Sequence, residues 1–487
     1  MPGGRGPCGE RRREQRPLIE QPAMPHLPSR FLVVVALLVG SADAQGAQPF
    51  AASRLERQIS ADPFAGAGGS EADTQVEPHV AADPSDAAVV VAVFQQGRFD
   101  DGGSVGPGFA TSDDGGQTWI TGSLPGLTTA VGGPFERGSD PVAAIGPDGS
   151  VYAQTLLFNT SDCRNAVAVQ RSGDHGRTWG APVLVQDDAP CTLINDKNWL
   201  AVDGFPQSPH SGRLYSVWDQ IDLTVPTVPQ LLRYSDDHGA TWSALVTVSP
   251  PGPLGSIGAL PLVQPDGDVT VLYNLYAPPP SRLVSQTSHD GGNQFDPPVT
   301  IATYQGLAVP GMRTGNDAVS ALPAGAVDPL TGRLYAAWPD ARFRGDGQND
   351  IVVAVSADGG VSWGAPTVVS DPSLHHPFNH FTPAVAAHGG TVLVAYGARR
   401  GGDDRTSMRY AVSLDDGTTF GRERGIGRAG DLDFAATASG GLLFLGDYIG
   451  LTLSANEAHV VWTRPSRPRG NPSAVHHQVA WSATIRR

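Results

Sequence analysis

Along most of the chain, apolar runs of strand length alternate with segments rich in Gly, Pro, Asp and Ser. The runs come in pairs. PHVAADP and VVVAVFQ, between Pro78 and Gln95, form the first pair; DPVAAIG with VYAQTLL and NWLAVDG with LYSVWDQ follow. ALPLVQ with VTVLYNLY, AVSALPAGAVD with LYAAWPD, and FTPAVAAH with VLVAYGA continue the series. DYIGLTLS with HVVWTR makes a seventh pair, and HHQVAWSATI comes after it. Short apolar runs bounded by turn formers read as strands. The 60 Gly and 42 Pro weigh against long helices, whose interiors tolerate neither residue well.

After each of the first six pairs comes a third apolar run that ends in one octapeptide. It reads SDDGGQTW from Ser112, SGDHGRTW from Ser172, SDDHGATW from Ser235, SHDGGNQF from Ser288, SADGGVSW from Ser356 and SLDDGTTF from Ser413. Copies recurring about 60 residues apart are the mark of a repeat architecture. The chemistry of the motif is local. The central acids, Asp114, Asp174, Asp237, Asp290, Asp358 and Asp415, can accept from backbone N–H groups just downstream and close an Asx-type turn. Gly supplies the positive φ, and the terminal Trp or Phe folds back to bury a large apolar surface. These Asp residues are therefore structural hairpin locks.

The octapeptide resembles the Asp box of the sialidase-like (BNR repeat) propellers, and the likeness runs from about residue 76 to the end. It implies an all-β fold, a β-propeller of four-stranded blades. Six units have a strand pair, a third strand, an Asp box and a fourth strand. The seventh has three strands and no box. Its missing strand is expected from Glu56–Ala61, within a segment 45–75 that precedes the propeller proper at 76–487. Joining the two ends in one blade protects the sheet edges. Seven blades are favoured; six, with one unit decorating the ring, is the alternative. Length alone would have counted about three domains.

The N-terminus reads differently. Phe31–Val39 is too short to span a bilayer, which takes about 20 apolar residues. Arg30 precedes it and Ala42-Asp43-Ala44 follows, the pattern of a secretory signal cleaved after Ala44. A leader over 1–44 implies secretion to an extracellular or periplasmic compartment. Cys8 is lost with it, and Cys163 and Cys191 are expected to form a disulfide across the open end of the second box hairpin. The formal charge is −15, which disfavours sequence-independent nucleic-acid binding. Lys occurs once, at Lys197, and every other basic residue is Arg. That skew points to a GC-rich bacterial source.

By the resemblance, chemistry sits at the mouth, just before first strands or just after second strands. Those positions hold Arg98, Asp219, Asp340, Arg342, Arg399 and Arg464, and also Glu77, Glu136, Arg137, Asp140, Asp196, Lys197, Arg313, Asp317, His380, Asp447 and Tyr448. Sialidases hold a substrate carboxylate with three Arg, and a planar guanidinium suits that anion. Their nucleophile is a Tyr activated by a Glu, with an Asp as acid/base. The resemblance therefore implies Tyr448 as nucleophile, Glu136 as its activator, and Asp140 or Asp340 as acid/base. Arg98, Arg342 and Arg399 form the clamp, with Arg313 and Lys197 as further substrate-binding groups. The structural alternative for Asp340 with Arg342, and for Glu136 with Arg137, is ion pairing between neighbouring blades.

No cofactor is expected. His375-His376 and His476-His477 lack convergent partners for zinc, and Asp346–Asp350 lacks the spacing of an EF-hand. A structural Ca²⁺ is the one metal the acid-rich loops leave open. Two functions lead, with a lyase or hydrolase for another polysaccharide as a third. The first is a secreted glycoside hydrolase of exo-α-sialidase type, a monomer acting on glycans or glycoconjugates with terminal acidic sugars. The second is a non-catalytic extracellular propeller that binds a glycan or protein. The N-terminal F-R-I-P motif, which carries one clamp Arg in sialidases, is absent and motivates the second.

Overall fold

The structure is a computed structural model that describes residues 50–487 apart from 53–55, 65–66, 226, 251–254, 315–321, 371–377, 439 and 468–475. The leader over 1–44, Asp317 and the His375-His376 pair lie outside the described residues. The rest is all-β: strands joined by turns and paired almost throughout in antiparallel fashion, with only short 3₁₀ segments besides. No described helix is long and apolar enough to cross a membrane.

Apart from one two-stranded parallel pair, the strands fall into seven successive antiparallel units, of which the first two are joined in one eight-stranded sheet through Ser104 and Gly138. Their first strands are Gln75–Ala82, Arg137–Ile145, Leu193–Val202, Gly255–Val263, Ala324–Val327, Phe378–His388 and Gly450–Leu453. In the first six, second, third and fourth strands add outward in sequence order. The seventh has Gly450–Leu453, Glu457–Pro465 and Gln478–Arg486. On its outer side lie Ala51–Ala52 and Arg57–Gln58, the latter pairing with Ser482 and Trp481. The N-terminal segment thus lies beside the C-terminal strand.

The core lies between units rather than within one sheet. Val142, Tyr152 and Val167 of the second unit pack against Leu200, Leu214 and Trp218 of the third. Comparable clusters join the third to the fourth, the fourth to the fifth, the fifth to the sixth, and the sixth to the seventh. Another joins Val461 and Ala480 of the seventh to Val80, Val90 and Phe94 of the first. Strands buried on both faces explain the continuous apolar runs of the sequence, where one wet face would have given alternation.

Every octapeptide stands between a third and a fourth strand. In the third unit, Ser235 Oγ donates to Asp237 Oδ1 (2.8 Å). The backbone N–H and Oγ1 of Thr241 donate to the two carboxylate oxygens (2.8 and 2.6 Å), and Gly239 N–H donates to Ser235 Oγ (2.9 Å). The Trp242 ring then lies against the second–third interface. The first, second, fifth and sixth copies repeat this, while Asp290 receives backbone donors alone at that end. The donors hold Asp114, Asp174 and Asp237 at a pKa of about 2.

Candidate functional site

Five of the seven first strands carry the same irregularity. An extra residue breaks the register with the second strand between Val76 and His79, Ser139 and Val142, Asp196 and Trp199, Ile257 and Leu260, and Phe381 and Ala384. In each bulge one residue takes a left-handed backbone: Glu77 (φ 54), Asp140 (φ 45), Lys197 (φ 44), Gly258 (φ 81) and Thr382 (φ 47). Non-glycine residues rarely accept this conformation, and bulges that re-aim a side chain recur beside active sites. Pro78, Pro141 and Pro383 each follow the bulged residue. Lacking an N–H, proline cannot extend the ladder and favours a break there.

Three of these side chains help line a cavity of about 810 Å³. Glu77, Asp140, Asp196 and Asp447 converge there with Arg98, Lys197 and Arg313. The Lys197 ammonium stands 3.5 Å from Asp140 Oδ1 and 3.8 Å from the centre of the Tyr448 ring. It is 5% exposed and makes no hydrogen bond to any of the described residues. Gln95 Nε2 donates to Glu77 Oε2 (2.5 Å) and to Ser139 Oγ (2.9 Å), and Asp447 N–H donates to Glu77 Oε1 (3.3 Å). Asp447 comes so near because Gly446 sits at φ 105 and a Cβ there would lie 2.8 Å from the Glu77 nitrogen.

Arg98 is fully buried and donates through Nη1 to the Thr437 carbonyl (3.0 Å), while its Nε and Nη2 have no hydrogen-bond partner among the described residues. Arg313 approaches Asp447 Oδ2 at 3.5 Å. Both guanidiniums face the Phe444 ring, at 4.7 and 5.3 Å from its centre. Arg313 is brought there by an element that spacing did not reveal. Met312–Arg313 pairs in parallel with Leu443–Phe444, so the connection after the fourth unit is strapped to the connection before the seventh.

The environment separates the acids. Burial, with Asp140 and Asp447 nearby, pushes Glu77 well above the usual carboxylate range. Burial and then Asp140 raise Asp196 to about 6. Burial and then Asp196 push Asp219 well up; Asp219 accepts from Gly258 N–H at the next bulge. Burial and the Lys197 charge depress His79 to about 3. Acids thus outnumber the three cations in the cavity lining, where Asp100 and Asp101 also stand, and two of those acids, Glu77 and Asp196, have raised pKa values.

Of the residues singled out by sequence, Arg98, Asp140, Lys197 and Arg313 line this cavity. Tyr448 lies beneath Lys197; its hydroxyl donates to the Pro141 carbonyl (3.1 Å) and burial raises its pKa well above normal. Glu136, Asp340, Arg342 and Arg399 do not line it. Glu136 accepts from Thr160 N–H (2.8 Å), Thr160 Oγ1 (2.5 Å) and Ser161 Oγ, which hold it at about 2. Asp340 is fully buried, binding Trp338 Nε1 (3.1 Å) and Arg342 Nη2 (2.6 Å). Arg399 donates to the carbonyls of Asp403 (3.0 Å) and Pro310, bracing the strap before Arg313. Cys163 and Cys191 form a disulfide in the cavity wall, joining the loops that flank the outer hairpin of the second unit. Glu77, Asp196 and Asp447, which the sequence marks only as polar mouth positions, line the cavity as well. The Glu77-Pro78 and Asp140-Pro141 pairs, each heading an apolar run, were the signal that could have singled out the bulges.

No family model matches the chain, and no curated protein matches it. Solved structures do. A Dyadobacter fermentans protein of unknown function aligns over 90% of this chain and 99% of its own, at 15% identity and a TM-score of 0.46. A GH93 α-L-arabinofuranosidase of Fusarium graminearum aligns over 89% and 98%, at 13% identity and 0.46. The sialidase of Trypanosoma rangeli aligns over 72% and 58%, at 14% identity and 0.48. Likenesses of this depth say nothing of substrate or mechanism.

Proposed function

We propose that the seven units are the blades of one closed propeller of the sialidase-like, Asp-box kind, exported behind its leader, and that its mouth cavity hydrolyses glycosides of terminal acidic sugars. Support for the ring is the unbroken succession of contacts between first strands, in which Gly450–Leu453 returns to Gln75–Ala82. Support for the function is one observation: two carboxyl groups of raised pKa converge with Arg98, Lys197 and Arg313 in a single cavity. Glycoside hydrolysis needs a protonated carboxyl to protonate the leaving oxygen and a second, ionised one to assist attack. Environments that push pKa values apart make such a division of labour. In this reading Glu77 is the acid and Asp196 the base above pH 6. Asp140 holds Lys197 in place, and Arg98 with Arg313 takes the substrate carboxylate. Tyr448, with its hydroxyl bound to Pro141, supports Lys197 through its ring. A fluorogenic acidic-sugar glycoside tests the proposal. Turnover that falls at least a hundredfold in Glu77→Gln supports it, and turnover that is absent or unaffected refutes it.

One observation favours non-catalytic binding. Arg342 and Arg399 are bound elsewhere, so two guanidiniums rather than three face the ligand. Saturable binding of the same glycoside with no product over long incubation would establish that reading.

A further inference from the structure

The cavity is lined by two unlike sets of side chains. The charged set comes from the seventh, first, second and third units, through Asp447, Glu77, Arg98, Asp140 and Lys197. An aliphatic set comes from Ile257 and Leu322, with Ala308 on the strap. At the rim, Ile194 is 41% exposed and Leu442 43% exposed. Binding pockets are lined predominantly by apolar side chains, and these two extend the aliphatic lining to the edge of the cavity.

The identity of these residues narrows the ligand. Among the described residues the cavity has no Trp or Tyr, and its aromatics are Phe158 and Phe444. Phe444 is faced by the two guanidiniums. A further sugar ring would gain from an aromatic plate with a polar edge; branched aliphatic side chains offer neither and instead match an alkyl chain. A volume of about 810 Å³ also lies near the upper end of ordinary ligand sites, which run to ~1,000 Å³.

We infer that the mouth takes an amphiphile: an acid-bearing sugar head held on the Glu77–Asp140–Lys197 side, joined to an aliphatic aglycone that lies along Ile257, Leu322 and the rim residues Ile194 and Leu442. This rests on the acidic-sugar reading above and adds that the leaving group is hydrocarbon rather than a second sugar. Each methylene taken from water is about fourfold in affinity, so even partial burial of an octyl chain gives at least a tenfold gain.

Calorimetry with the full chain and three probes tests this: the methyl and octyl α-glycosides of N-acetylneuraminic acid, and octanoate. The octyl glycoside should bind at least tenfold tighter than the methyl glycoside. In an Ile257→Ser, Leu442→Ser double variant that ratio should fall towards one. Equal affinities in the unmodified protein overturn the inference, as does a ratio the double variant leaves intact. Octanoate bound while both glycosides are ignored supports the aliphatic lining and refutes the acidic-sugar head. If none of the three binds, both readings fall.

Discussion

At the residue scale the decisive group is Lys197. A compact ammonium without a hydrogen-bond partner among the described residues, held over an aromatic face beside a carboxylate, is poised for an anionic ligand. Lys197→Met should weaken binding of an acidic-sugar glycoside by at least tenfold, about 1.4 kcal/mol, measured by calorimetry. Asp196 gives that binding a pH dependence. Its raised pKa of about 6 means that it takes up a proton as pH falls through 6, making the cavity more positive. Affinity for the anion should therefore rise between pH 7 and pH 5. Asp196→Asn should hold the higher affinity throughout and flatten that step. A profile that stays sloped in the variant would assign the titration elsewhere.

At the element scale the octapeptides and the bulges do opposite work. The octapeptide satisfies nearly every local donor and adds stability. Asp237→Ala removes the acceptor for Ser235 Oγ and for both Thr241 donors, and should cost about 1–3 kcal/mol in chemical denaturation. The bulges instead spend stability on aim, since Glu77, Asp140 and Lys197 are left-handed without being glycine. Gly446 serves the same end by close approach. Gly446→Ala would place a Cβ against the Glu77 backbone at φ 105 and should displace Asp447 from Glu77. The expected readout is lost turnover or ligand binding, accompanied by a lowered melting temperature. The octapeptide hairpins were legible because their turn is written in adjacent residues. The bulges were harder to see, because the acid–proline pair that marks them becomes meaningful only once a partner strand supplies the register.

At the scale of the whole molecule, acid stability follows from the repeats. Asp114, Asp174 and Asp237 have folded-state pKa values near 2, below those of an unfolded chain. Such groups stabilise the fold above pH ~4, and that contribution is lost as pH falls towards 2. Glu77, Asp196 and Asp219, with raised values, act in the other sense: their contribution is present at low pH and is lost as pH rises through their folded pKa values. Cooperative acid unfolding is therefore expected between about pH 4 and pH 2, followed by circular dichroism, and at higher pH when the octapeptide Asp residues are replaced by Ala. The Cys163–Cys191 bridge closes a separation of 28 residues, and its removal by Cys191→Ser should cost about 3 kcal/mol in denaturant unfolding.

The sequence by itself determined the all-β architecture and the six locked hairpins, because apolar runs and turn chemistry are properties of neighbouring residues. It also brought Arg98, Asp140, Lys197 and Arg313 into view as polar mouth residues. Only the tertiary structure decided which of those residues meet. Arg342 and Arg399 have the same local setting as Arg98, a guanidinium at or just after the end of a second strand. Yet Arg342 is taken by Asp340 and Arg399 by the strap, while Arg98 lies buried with two nitrogens unpartnered among the described residues. The Met312–Leu443 pairing that delivers Arg313 joins segments more than a hundred residues apart. Convergence of side chains depends on register and on contacts between distant segments, and neither is written in the local pattern that made the strands visible.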